Sequence, residues 1–261
     1  MEKNMSALVA DIERCSTHDG PGLRTVVFLK GCPLNCAWCH NPECISFEPE
    51  ELYYPDKCIM CGHCKDGCVA GARVTCGREM TADEVLAEVL ADRDYYGEKG
   101  GVTVSGGEPL AHPDFSRELL YKCKINSVGT AVETSLYRYD GDILRLCDCI
   151  MTDIKIFDPE LHKKYIGIDN TAVLENIKKA DSLDIPIIVR TPVIPDVNDS
   201  TDNIMKTADF VRSLRNAVKY ELLPYHPLGL TKARALGREM TEFSSPTKEK
   251  MEELKQYAYI R

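Results

Sequence analysis

"GGVTVSGGEPLAHPDFSRELLYKC", residues 100–123, reads as one strand, a glycine-rich turn and a helix near Asp114–Cys123. Working outward, the same alternation continues on both sides. "LRTVVFLKG" (23–31) is a β-branched run ending at a glycine, hence a first strand. Residues 81–97 form a helix: Thr81 and Glu84 make a capping box, and Val85, Leu86, Val89 and Leu90 make one apolar stripe. Further strands are expected at 128–134, 149–157, 185–194 and 219–226, with helices near 140–147, 173–181, 201–214 and 246–259. Strands that alternate with helices give a parallel α/β sheet with right-handed crossovers. Chemistry in such folds sits at the carboxyl ends of the strands. The residues there are the Cys32 loop, Ser105–Pro109, Glu133–Ser135, Asp153–Lys155, Arg190–Pro192 and His226.

The chain of 261 residues is 44% apolar and 28% charged, as expected of an ordinary globular protein. Its net charge of -9 argues against a general nucleic-acid binder. The opening "MEKNMSALVADIERCSTHDG" has no apolar core and does not read as a signal peptide, and no run has the length of a membrane helix. The expected location is the cytoplasm. There, thirteen cysteines point to metal rather than disulfides. Nine are clustered. Cys15, Cys123, Cys147 and Cys149 lie apart and read as small buried hydrophobes.

In Cys32-x3-Cys36-x2-Cys39 three thiolates can face one centre. Zinc would need a fourth ligand, for which His40 is available, whereas a 4Fe–4S cluster with three cysteine ligands keeps one iron open. Cys58-x2-Cys61-x2-Cys64-x3-Cys68 is a ferredoxin-type run, with Val69 where proline usually follows. It indicates a second 4Fe–4S cluster whose fourth ligand is Cys68, Cys76 or Cys44; a zinc ribbon is the alternative. About 50 residues separate the first strand from its helix, far beyond an ordinary βα loop. Residues 44–78 are therefore read as an inserted module, and 1–43 with 79–261 as the main domain. Gly106 and Gly107 let the backbone approach a ligand, and Glu108-Pro109 fixes the turn. Asp153 and Lys155 alternate along a strand, so both charges face one side.

The cysteine triad resembles the signature of the radical S-adenosylmethionine (SAM) superfamily. With "DGPGLRTVVFLKGCPLNCAWCHNPE", "VTVSGGEPL", "TDIKIFDPELHKKYIG", "RTPVIPDVND" and "LLPYHPLG", nearly the whole chain resembles the glycyl radical enzyme activating enzymes. The resemblance implies a partial (β/α)6 barrel with a small ferredoxin-like insert. It implies an oxidoreductase in which SAM, held at the open iron, is reductively cleaved to a 5′-deoxyadenosyl radical. That radical takes a hydrogen from a backbone glycine of a partner glycyl radical enzyme, with the electron coming from flavodoxin or ferredoxin. The resemblance also places Gly106, Gly107, Glu108 and Pro109 at the SAM ammonium and Lys155 at its carboxylate. Arg190 is placed at the carboxylate or the substrate loop, His226 towards the ribose or adenine, Trp38 on the cluster or adenine, and Thr134 and Ser135 in the same site. It aligns Glu133, Thr134, Met151 and Asp153 with a monovalent-cation site, and puts Asp19, Gly20 and Pro21 at the mouth for the partner's loop. His40 and Asn41 are expected to brace the cluster loop. The expected state is a monomer.

The insert argues against the pyruvate formate-lyase branch and for activators of dehydratases, decarboxylases or C–N and C–S lyases. Two other readings stand beside this one: a radical SAM enzyme acting on a small molecule or nucleotide, and a non-catalytic iron–sulfur electron carrier. A carrier needs neither SGGEP nor inward Asp153 and Lys155.

Overall fold

The computed structural model describes residues 4–64 and 67–259. Six parallel strands run through it in the expected order: β2 (Arg24–Leu29), β6 (Gly101–Gly106), β7 (Gly129–Thr134), β8 (Cys149–Asp153), β9 (Ile187–Val193) and β10 (Ala217–Pro224). β2, β6, β8 and β9 are buried on both faces along most of their length, which is why they read as largely apolar and β-branched runs, whereas β10 at the end of the sheet is half exposed. The helices α1 (Ala82–Ala91), α2 (Pro113–Ile125), α3 (Gly141–Leu144), α5 (Thr171–Asp181), α6 (Thr201–Ser213) and α8 (Lys248–Lys255) match the sequence pattern. The Thr81–Glu84 capping box is formed.

Several elements are additional. β1 (Ser6–Ser16) and β5 (Arg78–Thr81) extend the sheet to eight strands as an antiparallel edge, in the order β10-β9-β8-β7-β6-β2-β1-β5. Helices α4 (Pro159–Ile166) and α7 (Leu228–Ala235) also form. The helix expected at 81–97 stops at Ala91 and passes into a 3-10 turn at Arg93–Tyr95. Strand β8 ends at Asp153 rather than at 157, so Lys155 stands just beyond the strand.

Inside the stretch expected as an insert, β3 (Glu50–Tyr53) and β4 (Arg73–Cys76) form a two-stranded antiparallel sheet of their own. A lysine runs through the base of this hairpin. The Lys30 side chain is 0% exposed, and its ammonium donates to the Glu43 carbonyl at 2.6 Å and to Glu50 at 2.7 Å. Gly77, at φ +99°, leaves room for it: a Cβ there would lie 2.7 Å from the Lys30 side chain. Arg238, just past α7, donates from the other side to Glu50 and to the Pro42 carbonyl. A buried lysine is tolerated only when paired, so these contacts hold the hairpin in one place on the sheet.

Candidate active site

At the carboxyl ends of β6, β7 and β8 the backbone opens into a cavity of about 200 Å³. Cys32, Cys36 and Cys39 all line it, with Trp38 between the last two. Opposite them stand Ser105, Gly106 and Gly107 from the end of β6, then Glu133, Thr134 and Ser135 from β7, and Asp153 and Lys155 after β8. The turn is pressed against the cysteine loop. A Cβ on Gly107 would meet the carbonyl oxygens of Gly31 at 2.4 Å and Cys44 at 2.5 Å, so this position requires glycine. The cysteine loop is closed by Gly31 N–H donating to Cys44 O and Cys32 N–H to Ile45 O.

Burial pushes the Cys32 and Cys39 thiols up to about 12 and raises Cys36 as well. Three such thiols on one cavity call for a bound positive centre, and three cysteines are the donor set of a 4Fe–4S cluster with an open iron. These residues fit that group. Lys155 donates to Asp153 at 2.7 Å, although it lies past the strand end. Burial pulls the Lys155 ammonium down, but Asp153 and Cys36 outweigh it and hold it above its ordinary value.

Glu108 differs from expectation. Its carboxylate does not line the cavity; it is 1% exposed and accepts four hydrogen bonds, from Leu110 N at 3.0 Å, Thr134 Oγ1 at 2.6 Å, Ser135 N at 2.9 Å and Ser135 Oγ at 2.5 Å. It ties the turn to the end of β7, leaving Gly106, Gly107 and Ser105 to face the cavity. Pro109, turned inward, is buried.

Arg190 is likewise engaged within the protein, on Glu133 at 2.9 Å, Glu221 at 3.3 Å and the His18 carbonyl. Of the four residues aligned with a cation site, Glu133, Thr134 and Asp153 line this cavity, and Glu133 pairs across the strands with Met151. Their side chains are engaged within the protein: Glu133 holds Arg190 and Ser105, Thr134 holds Glu108, Asp153 holds Lys155, and Met151 packs on Ala131, Cys149 and Ile188. His226 is exposed and lies outside the cavity lining, but it stacks on cavity-lining His40 with centroids 4.1 Å apart. Burial, helped by His226, lowers His40 to about 4. Asn41 is held by Lys232 of α7 at 2.9 Å. In the loop before β2, the Asp19 carbonyl accepts from Thr103.

Cys58, Cys61, Cys64 and Cys68 line a separate small pocket, and neither Cys44 nor Cys76 reaches it. Those two are buried at the base of the hairpin, where Cys76 Sγ faces the Glu43 carbonyl at 3.7 Å. Amide donors from Arg73 and Ala72 hold the Cys68 thiol below its usual range. The sequence reading did not include the Glu108–Thr134–Ser135 network, the Lys30 contacts or Phe243 packed against Trp38. Each joins residues remote in sequence and carries no local signal.

The Radical SAM superfamily matches residues 26–211. The chain is 35% identical to the (2S)-3-sulfopropanediol sulfolyase activating enzyme of Bilophila wadsworthia, over 91% of this chain and 91% of that one. It is 37% identical to the isethionate sulfite-lyase activating enzyme of Nitratidesulfovibrio vulgaris, over 91% of this chain and 90% of the relative. A crystal structure of a domain of the pyruvate-formate lyase-activating enzyme from Bacteroides vulgatus superposes with a TM-score of 0.52 at 31% identity. It covers 61% of this chain and 92% of that domain.

Proposed function

Since this chain belongs to the radical SAM superfamily, among the activating enzymes of glycyl radical enzymes, we propose that it installs the backbone glycyl radical of a dehydratase, decarboxylase or C–N/C–S lyase. The observation that carries this reading is the convergence of Cys32, Cys36 and Cys39 with the Gly106–Gly107 turn and the Asp153–Lys155 pair on one cavity. When bound, the 4Fe–4S cluster and SAM supply a one-electron cleavage to methionine and a 5′-deoxyadenosyl radical, the agent that takes the glycine hydrogen.

The chain's own residues bind and orient. Cys32, Cys36 and Cys39 hold the cluster. Lys155 offers its ammonium to the SAM carboxylate, with Asp153 keeping it charged and aimed. Backbone oxygens of the Gly106–Gly107 turn and the Glu133 side face the SAM ammonium. Glu108 positions that turn through Thr134 and Ser135, and Arg190 holds Glu133 in place. Trp38, with His40 and His226, forms the wall on the nucleoside side, and buried apolar residues around the cysteine loop exclude water. Asp19, Gly20 and Pro21 shape the entry for the partner's glycine loop.

Cys58, Cys61, Cys64 and Cys68 are the ligands of a second 4Fe–4S cluster in a module spanning 44–78. The pocket lined by these four, without Cys44 or Cys76, supports that choice. A flavodoxin or ferredoxin is the electron donor. A monovalent cation at Glu133, Thr134, Met151 and Asp153 competes with Arg190 for the Glu133 carboxylate; SAM affinity independent of added Na⁺ or K⁺ removes that ion from the reading. No helix among the described residues is long and apolar enough to cross a membrane; the reading places a monomer in the cytoplasm. The test is anaerobic reconstitution followed by mixing with candidate glycyl radical enzymes of the three classes. A glycyl doublet in the electron paramagnetic resonance spectrum of one partner is expected. Cleavage of SAM with no doublet in any class overturns the assignment.

A further inference from the structure

The segment between α7 and α8 crosses the outside of the cysteine loop with no regular structure, and Thr241, Glu242, Ser244 and Ser245 in it are exposed. Phe243 alone among these five turns inward. Its ring meets Trp38 edge-on, with centroids 6.0 Å apart and planes at 82°. It meets Tyr225 at 6.1 Å and Tyr165 at 6.4 Å. Trp38 is 3% exposed, lines the cavity between Cys36 and Cys39, and also packs on Tyr165 at 6.0 Å, so that Trp38, Tyr165 and Phe243 form a triangle of rings. Among the described residues its indole N–H has no hydrogen-bond partner, and its ring is held by aromatic packing. The loop backbone is pinned beside Tyr165, by Asn35 N–H donating to Ile166 O and Ala37 N–H to Tyr165 O. Phe243 completes the triangle from this strap.

We propose that Phe243 is a positioning residue for the SAM site. Acting through Trp38, it fixes the wall of the cavity between Cys36 and Cys39, and so joins a strap more than 200 residues away in sequence to the cofactor pocket. This rests on the reading of that cavity as the SAM site. Arg238 ties the start of the strap to Pro42 and Glu50, and Phe243 is its aromatic contact with Trp38, so loss of that ring frees the Trp38 side chain without unfolding the sheet, whose main core lies in a different cluster of side chains.

Trp38 is the sole tryptophan, so indole emission comes from this site alone, and in metal-free protein it does so without any cluster. In metal-free protein, Phe243→Ala is expected to shift the emission to the red and raise quenching by acrylamide. In reconstituted protein it is expected to weaken SAM binding about 3- to 10-fold, the loss of one or two aromatic pairs. Phe243→Tyr should retain both properties. If Phe243→Ala does not fold, Phe243→Leu, which keeps most of the volume, carries the same comparison. Unchanged emission and quenching overturn the contact's role, and altered emission with unchanged SAM affinity overturns the positioning role. Failure of the wild-type protein itself to bind SAM refutes the functional reading, and the emission result still decides whether Phe243 orders Trp38.

Discussion

Replacing Lys30 by methionine tests how the hairpin is fixed on the sheet. The substitution keeps most of the buried stem and removes the ammonium. It leaves the Glu43 carbonyl and one oxygen of Glu50 without the donor that reaches them at 2.6 and 2.7 Å. Removing one partner of a buried ion pair costs about 3–5 kcal/mol, chiefly because the other charge is stranded. Here Glu50 is 24% exposed at its side chain and keeps Arg238, so the cost falls at the lower end, about 3 kcal/mol. With an m-value of about 3 kcal/mol/M for a chain of this size, the urea midpoint of the metal-free protein should fall by about 1 M. The comparison requires circular dichroism and fluorescence to give coincident transitions with equal slopes. Lys30→Met/Glu50→Gln should recover part of the loss, because the amide removes the half-compensated charge while its oxygen still accepts from Arg238. A single variant within about 0.2 M of wild type refutes the reasoning, as does a double variant no better than the single.

Other consequences follow from the site. Glu108→Ala strands the Thr134 and Ser135 donors and should destabilise the protein by about 2–4 kcal/mol; an unchanged thermal midpoint would speak against the network. Burial lowers the imidazole pKa of His112, so its contribution to stability is present above its unfolded value of about 6.5 and is lost as pH falls below it. His112→Asn should therefore flatten the stability profile below about pH 6.5, by at most about 1.4 kcal/mol per pH unit relative to wild type. Parallel profiles contradict this. Cys36→Ala should abolish SAM cleavage, while Cys61→Ala should retain the absorption of the first cluster; loss of all iron from Cys61→Ala would merge the two cysteine groups into one site.

What could be read in the sequence followed from burial. Strands buried on both faces, such as Thr25–Leu29 and Ile187–Val193, show as unbroken apolar and β-branched runs. β1, which lies between β2 and the short edge strand β5, escaped notice because exposed Asp11, Glu13 and Arg14 break its apolar pattern, and β5 because four residues give too short a pattern. The cysteine triad, the turn glycines and Lys155 were legible as local motifs, and all line one cavity. The engagement of Glu108 carries no such local signal. A carboxylate in a glycine turn looks available until four donors from another strand are seen to surround it. The same holds for Arg190, whose partners Glu133, Glu221 and His18 come from three other segments.

The central claim concerns a hydrogen that moves from a glycine to SAM-derived 5′-deoxyadenosine. The direct measurement uses a partner glycyl radical enzyme deuterated at the glycine α-carbon, with reconstituted protein, SAM and a low-potential reductant under anaerobic conditions. The expected result is 5′-deoxyadenosine carrying one deuterium, formed in step with the glycyl radical. Formation of 5′-deoxyadenosine without deuterium while the partner's glycine radical accumulates, or no 5′-deoxyadenosine although cluster and SAM are bound, would contradict it.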